Sequence, residues 1–167
     1  MIFRKALPKD IQQIMYIIEE AKIGLLKQGI NQWQNGYPNK ESILEDILHG
    51  DSYVLEDNHQ IVATCMISNQ PDPNYSYIED GTWLQDKSYS VIHRIAMHPN
   101  YKGRNIASKL IDKVFIIHPS SYSIRVDTHL DNISMQKVLK KNGFDYCGII
   151  YVSDGTARNA YEKIKQS

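Results

Sequence analysis

An excess of charge of either sign is missing from this sequence: Lys and Arg together number 19, and so do Asp and Glu. Nothing in that balance draws the whole molecule to nucleic acid or to an anionic membrane, so neither is expected among its partners. Long apolar runs are missing too. None approaches the ~18 residues of a membrane span, and the opening "MIFRKALPKD" has no apolar signal segment. A cytoplasmic protein is the expectation. Cysteine is scarce. Cys65 in "VATCMIS" and Cys147 in "DYCGIIY" sit in apolar, strand-like surroundings, without a second Cys or nearby His at metal-ligand spacing. No metal site is expected, and the two thiols read as small buried hydrophobes, with a reactive thiol as the alternative. His49, His59, His98, His118 and His129 likewise lack metal-ligand spacing and read as solvated or turn residues. Internal repeats and low-complexity segments are absent.

What is present is a chain of 167 residues, enough for one domain, residues 1–167, that buries roughly 70% of its unfolded surface. "IFRKAL" opens as a short strand. "PKDIQQIMYIIEEAKIGLL" follows with Ile11, Ile14, Met15, Ile18 and Ala21 at three- and four-residue spacing, an amphipathic helix entered through Pro8. After "QGINQWQNGYPNKES" breaks the pattern, "KESILEDILHG" resumes it as a second helix closed by Gly50. "SYVLED" and "QIVATCMIS" flank Asn58-His59 as a hairpin-like pair. A polar, tyrosine-rich interruption, "NQPDPNYSYIEDGTWLQDK", has the length of a functional loop. Strand character returns in "SYSVIHRIAMH", and a helix, a strand, a helix and two strands complete the chain.

"YKGRNIASKL" turns from strand to helix. The first four amide donors of a helix have no partner within it, and with the helix dipole they favour an anion of phosphate size. Gly103 removes side-chain bulk, Asn105 tolerates a left-handed conformation, and Lys102 and Arg104 add positive charge. The fragment is either a phosphate cradle or a plain helix start.

From Val91 to Leu110 the sequence resembles the acyl-CoA binding motif of the GNAT superfamily of N-acetyltransferases. Ile95-Ala96-Met97 stands for the strand end, "HPNY" for the turn and "KGRNIA" for the loop; Lys102 replaces Gln or Arg, Asn105 replaces the central Gly, and Ala107 matches. "DNISMQKVLKKNGFDYCG" resembles the family's next segment, and the element order agrees from about residue 2 to residue 165. The resemblance implies an α/β (α+β) fold, a mixed central β-sheet of six to seven strands flanked by about four helices, with strands four and five splayed around the cofactor. It implies acetyl-CoA as acyl donor and no metal. Ile95 and Met97 would give backbone contacts to the pantetheine arm, and Lys102, Gly103, Arg104, Asn105, Ile106, Ala107 and Ser108 the pyrophosphate cradle. A strand N–H near Ala96 or Met97 would meet the oxyanion. Asn132 would bond near the cofactor; it also makes sense purely as a helix cap, as does Asp131. Asp127 and Asn132 bracket the strand end in "RVDTHLDN".

An amine with a pKa near 10.4 arrives protonated at neutral pH, so a base is needed. Alternation puts Tyr89, Val91, His93, Ile95 and Met97 on one strand face. Val91 occupies the position where many family members carry a Glu base. His93, two residues on, matches the proposed base of the arylalkylamine N-acetyltransferases; its other reading is a hydrogen-bonded, half-buried residue without a catalytic role. Leu139 occupies the position of the usual acidic Tyr, which leaves the general acid unassigned among 11 tyrosines. For the acceptor pocket, Gln32, Trp33 and Tyr37 offer flat apolar surface with polar tips, and Tyr75, Tyr77, Glu79, Asp80 and Trp83 put aromatic faces beside carboxylates, which suits a cationic amine. Alternatively these aromatics cover a core end and the acids are solvated. Arg158 and Tyr161 belong to a last hairpin that could shape the pocket or permit a homodimer. The expected reaction moves an acetyl group from acetyl-CoA to a primary amine of a small molecule by direct attack in a ternary complex. The alternatives are a peptide or protein N-acetyltransferase and a non-catalytic acyl-CoA-binding sensor.

Overall fold

The computed structural model describes residues 1–167. Its elements run β1 (Ile2–Lys5), α1 (Ile11–Lys27), α2 (Lys40–His49), β2 (Ser52–Asp57), β3 (Gln60–Ser68), β4 (Tyr89–Met97), α3 (Ile106–Ile117), β5 (Ser123–His129), α4 (Ile133–Lys141), β6 (Asp145–Tyr151) and β7 (Ala157–Ile164). The hydrogen-bonded strand order is β1-β2-β3-β4-β5-β7-β6. This is the mixed seven-stranded sheet with four helices that the sequence predicted. The chain forms two compact units, residues 1–67 with 94–110, and residues 68–93 with 111–167.

In the first unit β1, β2 and β3 pair antiparallel, Phe3 opposite Leu55 and Val54 opposite Thr64. The β2–β3 turn has φ of +48° at Asn58 and +64° at His59, the primed geometry that matches the twist of a two-residue hairpin. The apolar stripe of α1 enters the core through Ile14, Ile17 and Ile18, and α2 adds Ile43 and Ile47 against Val54 and Ile61. Asn39 caps α2 by accepting from the Ser42 amide at 2.9 Å, and Gly50 ends it at φ +75°. A short 3-10 turn, Pro8–Asp10, leads into α1; the Asp10 carboxylate there accepts from the Leu7 amide at 2.8 Å and from Arg4 at 2.7 and 3.0 Å.

In the second unit β5 pairs antiparallel with β7, and β7 with β6. The parallel pairing of β4 with β5 covers Tyr89↔Ser123, Ser90↔Ile124 and Val91↔Arg125, and the register ends there although both strands continue. The connection from β3 to β4 is tied down at two places. Glu79 forms a bridge to Ile149 of β6, with both N–H···O bonds at 2.8 Å. Further along, the buried Glu162 carboxylate of β7 accepts from the Leu84 amide at 2.6 Å, Gln85 Nε2 at 2.9 Å, Arg125 Nε at 3.0 Å and the Ser123 hydroxyl. Arg125 lies between the rings of Trp83 (4.3 Å) and Tyr89 (4.0 Å) and donates to the Gln85 carbonyl at 2.6 Å.

Gly81 allows this loop to lie on β6: a Cβ built there would stand 1.9 Å from the Cys147 carbonyl oxygen. The obstacle is backbone, so it cannot rotate away. Gly81→Ala is therefore expected to destabilise by about 1–3 kcal/mol or more, the cost of overpacking, with a fall in urea midpoint as the check. An unchanged midpoint would mean that the loop lifts off freely.

Candidate functional site

His93 sits on β4 at the end of its part in the second unit, and the fold brings two carboxylates to it from distant parts of the sequence. Its Nε2 lies 2.7 Å from Asp72 Oδ2, and its Nδ1 lies 3.7 Å from Asp127 Oδ1. Asp72 belongs to the β3–β4 connection. Its other oxygen accepts from the Asn74 amide at 2.8 Å, and its own amide donates to Tyr89 Oη at 3.1 Å. Asp127, on β5, accepts from Tyr75 Oη at 2.6 Å. Burial pushes the Tyr75 hydroxyl well above its ordinary pKa, and the Asp127 charge adds to the effect. Tyr75 is thus a permanent donor, and it is spent on Asp127. Its ring also lies 5.9 Å from His93 and 5.1 Å from Trp83, whose Nε1 donates to the Tyr75 carbonyl at 2.9 Å. His93 keeps about a fifth of its side chain exposed, so the group is reachable while its partners are held.

The alternation read from the sequence over Tyr89–Met97 holds only as far as His93. Arg94 has φ +54°, a left-handed conformation uncommon for a residue with a side chain, and it interrupts the two-residue period before Ile95 and Met97. Two bonds from Arg94 to Asp46 of α2, at 2.8 and 2.6 Å, together with a contact to Tyr37 Oη, hold it there. Tyr37 is consequently engaged by Arg94, with the guanidinium 5.7 Å from its ring centre. Trp33, at φ +62°, packs against the core of the first unit, which favours the core-covering reading of that aromatic over the pocket reading. Gln32 is half-buried, and its carbonyl accepts from Gln34 Nε2 at 3.0 Å. Glu79 is committed to β6 and accepts from Tyr151 Oη.

The loop before α3 has the features of an anion cradle. Lys102, Gly103, Arg104 and Asn105 are exposed, while Ile106 and Ala107 are buried and Ser108 is half-buried. Gly103 has φ +78° and nothing within 4 Å of the point where a Cβ would stand, and Asn105 takes φ +56°. Asparagine supplies the left-handed turn for which glycine is the default. Arg104 lies over the Tyr101 ring at 4.9 Å. Ile95, Ala96 and Met97 end β4 ahead of this loop, Ala96 buried and its neighbours half-buried. These residues fit the phosphate and backbone contacts of an acyl-CoA.

Asn132 accepts from the Met135 amide at 3.2 Å and caps α4. Val91 and Leu139 are buried in the core, and as aliphatic side chains neither can transfer a proton. His98 is also buried; its Nδ1 accepts from the Asn100 amide at 3.2 Å, a turn role. No group of three or more His, Cys, Asp and Glu side chains is arranged to hold a metal ion, and no helix is long and apolar enough to cross a membrane. Both cysteines are buried. Burial pushes the Cys65 thiol up to about 12 and Cys147 to about 11, the Glu162 charge adding to the latter. A thiol reacts as its thiolate, so at pH 8 neither should label with a disulfide reagent until the protein is unfolded. Stoichiometric labelling of the native protein would contradict this.

Residues 18–144 match the Acetyltransferase (GNAT) family. A GNAT-family acetyltransferase from Streptococcus agalactiae is similar over 99% of this chain and 96% of its own, with 36% identity and a TM-score of 0.92. A GNAT-family acetyltransferase from Listeria monocytogenes (20% identity, TM-score 0.74, 98% and 94% covered) shares the fold. So does a ribosomal-protein-alanine N-acetyltransferase from Brucella melitensis (14%, 0.70, 99% and 100%). No curated protein matches the chain in sequence. The family match spans β4, the exposed loop and the His93 cluster alike, and on that ground, together with the near-complete likeness to the Streptococcus structure, the chain belongs to the GNAT family of acetyltransferases.

Proposed function

We propose that this protein acetylates a primary amine of a small molecule by direct attack within a ternary complex, with His93 as the base. Acetyl-CoA, the acyl donor of the family, supplies an activated thioester carbon. The observation that carries the reading is the placement of His93, partly exposed, hydrogen-bonded to Asp72 and 3.7 Å from Asp127. An imidazole is suited to taking the ammonium proton near neutral pH, directly or through a water. A strand N–H at Ala96 or Met97 would meet the developing oxyanion, and residues 102–108 the pyrophosphate. Asn132, a helix cap, would add a bond near the cofactor. Of the residues proposed for the acceptor side, Gln32, Trp33 and Glu79 are half-buried and Tyr37 is exposed. The two compact units would work as one transferase domain.

The test is calorimetric titration with acetyl-CoA, followed on the same sample by thiol release over a panel of small amines and of peptides with free N-termini. Binding with release on small amines supports the proposal. Release on peptides alone replaces the acceptor with a protein N-terminus or lysine. Binding without release from any acceptor would point to an acyl-CoA sensor.

A further inference from the structure

We propose that Asp72 and Asp127 divide the positioning of His93: Asp72 holds the ring in the tautomer with its proton on Nε2, and Asp127 stands ready for the proton that arrives on Nδ1. The proposal rests on the reading of His93 as base. It begins from an asymmetry in the two contacts. At 2.7 Å, Nε2 and Asp72 Oδ2 share a proton, and an ionised carboxylate has none to give, so the proton belongs to the ring. The second carboxylate, at 3.7 Å from Nδ1, is beyond hydrogen-bond distance. Nδ1 in the neutral ring is then an acceptor with its lone pair uncommitted.

Each aspartate is itself held by a group that does not exchange with the reaction. Asp72 uses its second oxygen for the Asn74 amide, and its backbone is bonded to Tyr89 Oη. Asp127 is fixed by Tyr75, whose buried hydroxyl stays protonated. Neither carboxylate can swing to take the place of the other, so the two nitrogens keep distinct tasks. In the proton step the N–H bond of the acceptor ammonium breaks and its electron pair stays on the amine nitrogen. The proton forms Nδ1–H on His93, and the resulting imidazolium lies between two carboxylates. Carboxylate, imidazole and nucleophile then stand in the order of an oriented base. Asp72 and Asp127 touch no reacting atom; they are positioning residues.

The decisive readout is the tautomer of His93, followed by nitrogen-15 NMR on histidine-labelled protein at a pH where its ring is neutral, the His93→Gln spectrum identifying the signal among the six histidines. The expected result is a protonated Nε2 and a bare Nδ1 in the native protein. In Asp72→Asn the side-chain amide can donate to Nε2 instead, so the signal should move to the Nδ1–H form and kcat should fall by about 10²-fold or more while KM for acetyl-CoA holds. Asp127→Asn should keep the native tautomer and lose kcat alone. A merely structural Asp72 would not move the tautomer. The proposal is overturned if the native ring carries its proton on Nδ1, or if Asp72→Asn leaves the tautomer as it was. Failure of the underlying reading is separate: His93→Ala would then retain turnover, whatever the spectra show.

Discussion

Replacing Glu162 by alanine is expected to cost about 3–5 kcal/mol, because it strands a buried guanidinium and several donors at once. Four groups donate to this one carboxylate, and Arg125 is enclosed by Trp83 and Tyr89 with nowhere to reach water. A domain of this size is stable by only ~5–15 kcal/mol, so the loss should lower the melting temperature by roughly 6–20 °C. The damage should also be local in character. Trp83 is both a wall for Arg125 and the donor to the Tyr75 carbonyl, so the loop that delivers Asp72 to His93 should loosen with it. Glu162→Gln keeps the shape and part of the bonding and should cost less. Calorimetry on both variants checks this; a loss below about 1 kcal/mol in the alanine variant would show that the network is replaceable by water.

The second large effect is expected at His93. Changing it to alanine should reduce turnover by about 10²–10⁴-fold, the usual contribution of general base catalysis, while acetyl-CoA binding stays unchanged. The deficit should depend on pH in a defined direction. At neutral pH the acceptor ammonium needs a base to lose its proton, whereas near its own pKa of about 10.4 much of it is already the free amine. The ratio of native to variant rates should therefore shrink as pH rises. A ratio constant across the range, or full activity in the variant, would remove His93 from proton transfer and leave it the hydrogen-bonded, half-buried residue that the sequence also allowed.

The element order was legible in the sequence because its signals are local. The three- and four-residue spacing of Ile11, Ile14, Met15 and Ile18, the closing Gly50, and the Asn58-His59 turn all act over a few positions, and the structure has each where the pattern put it. The departures come from long-range contacts. No residue-type signal marks Arg94 as left-handed; an arginine is held there by Asp46, 48 positions away, and the strand face changes as a result. The chemistry of Trp33 and Tyr37 suits a pocket lining or a core cover equally; in the fold one packs on the core and the other meets Arg94. His93 was visible as a suitable base, while Asp72 was an unremarked acid in a polar loop. Its contact spans 21 positions, and only folding discloses it.

The docking of Glu79 on β6 has a consequence for the molecule among its own copies. β6 is the last strand in the order, and an outer strand displays a row of unsatisfied amides and carbonyls that invites pairing with another chain. Glu79 occupies the middle of that row at Ile149, and the seven-residue strand is divided into stretches too short to template a ladder. Should the loop lift away, as Gly81→Ala would force it to, the bared edge of β6 would favour concentration-dependent self-association in addition to the loss of stability.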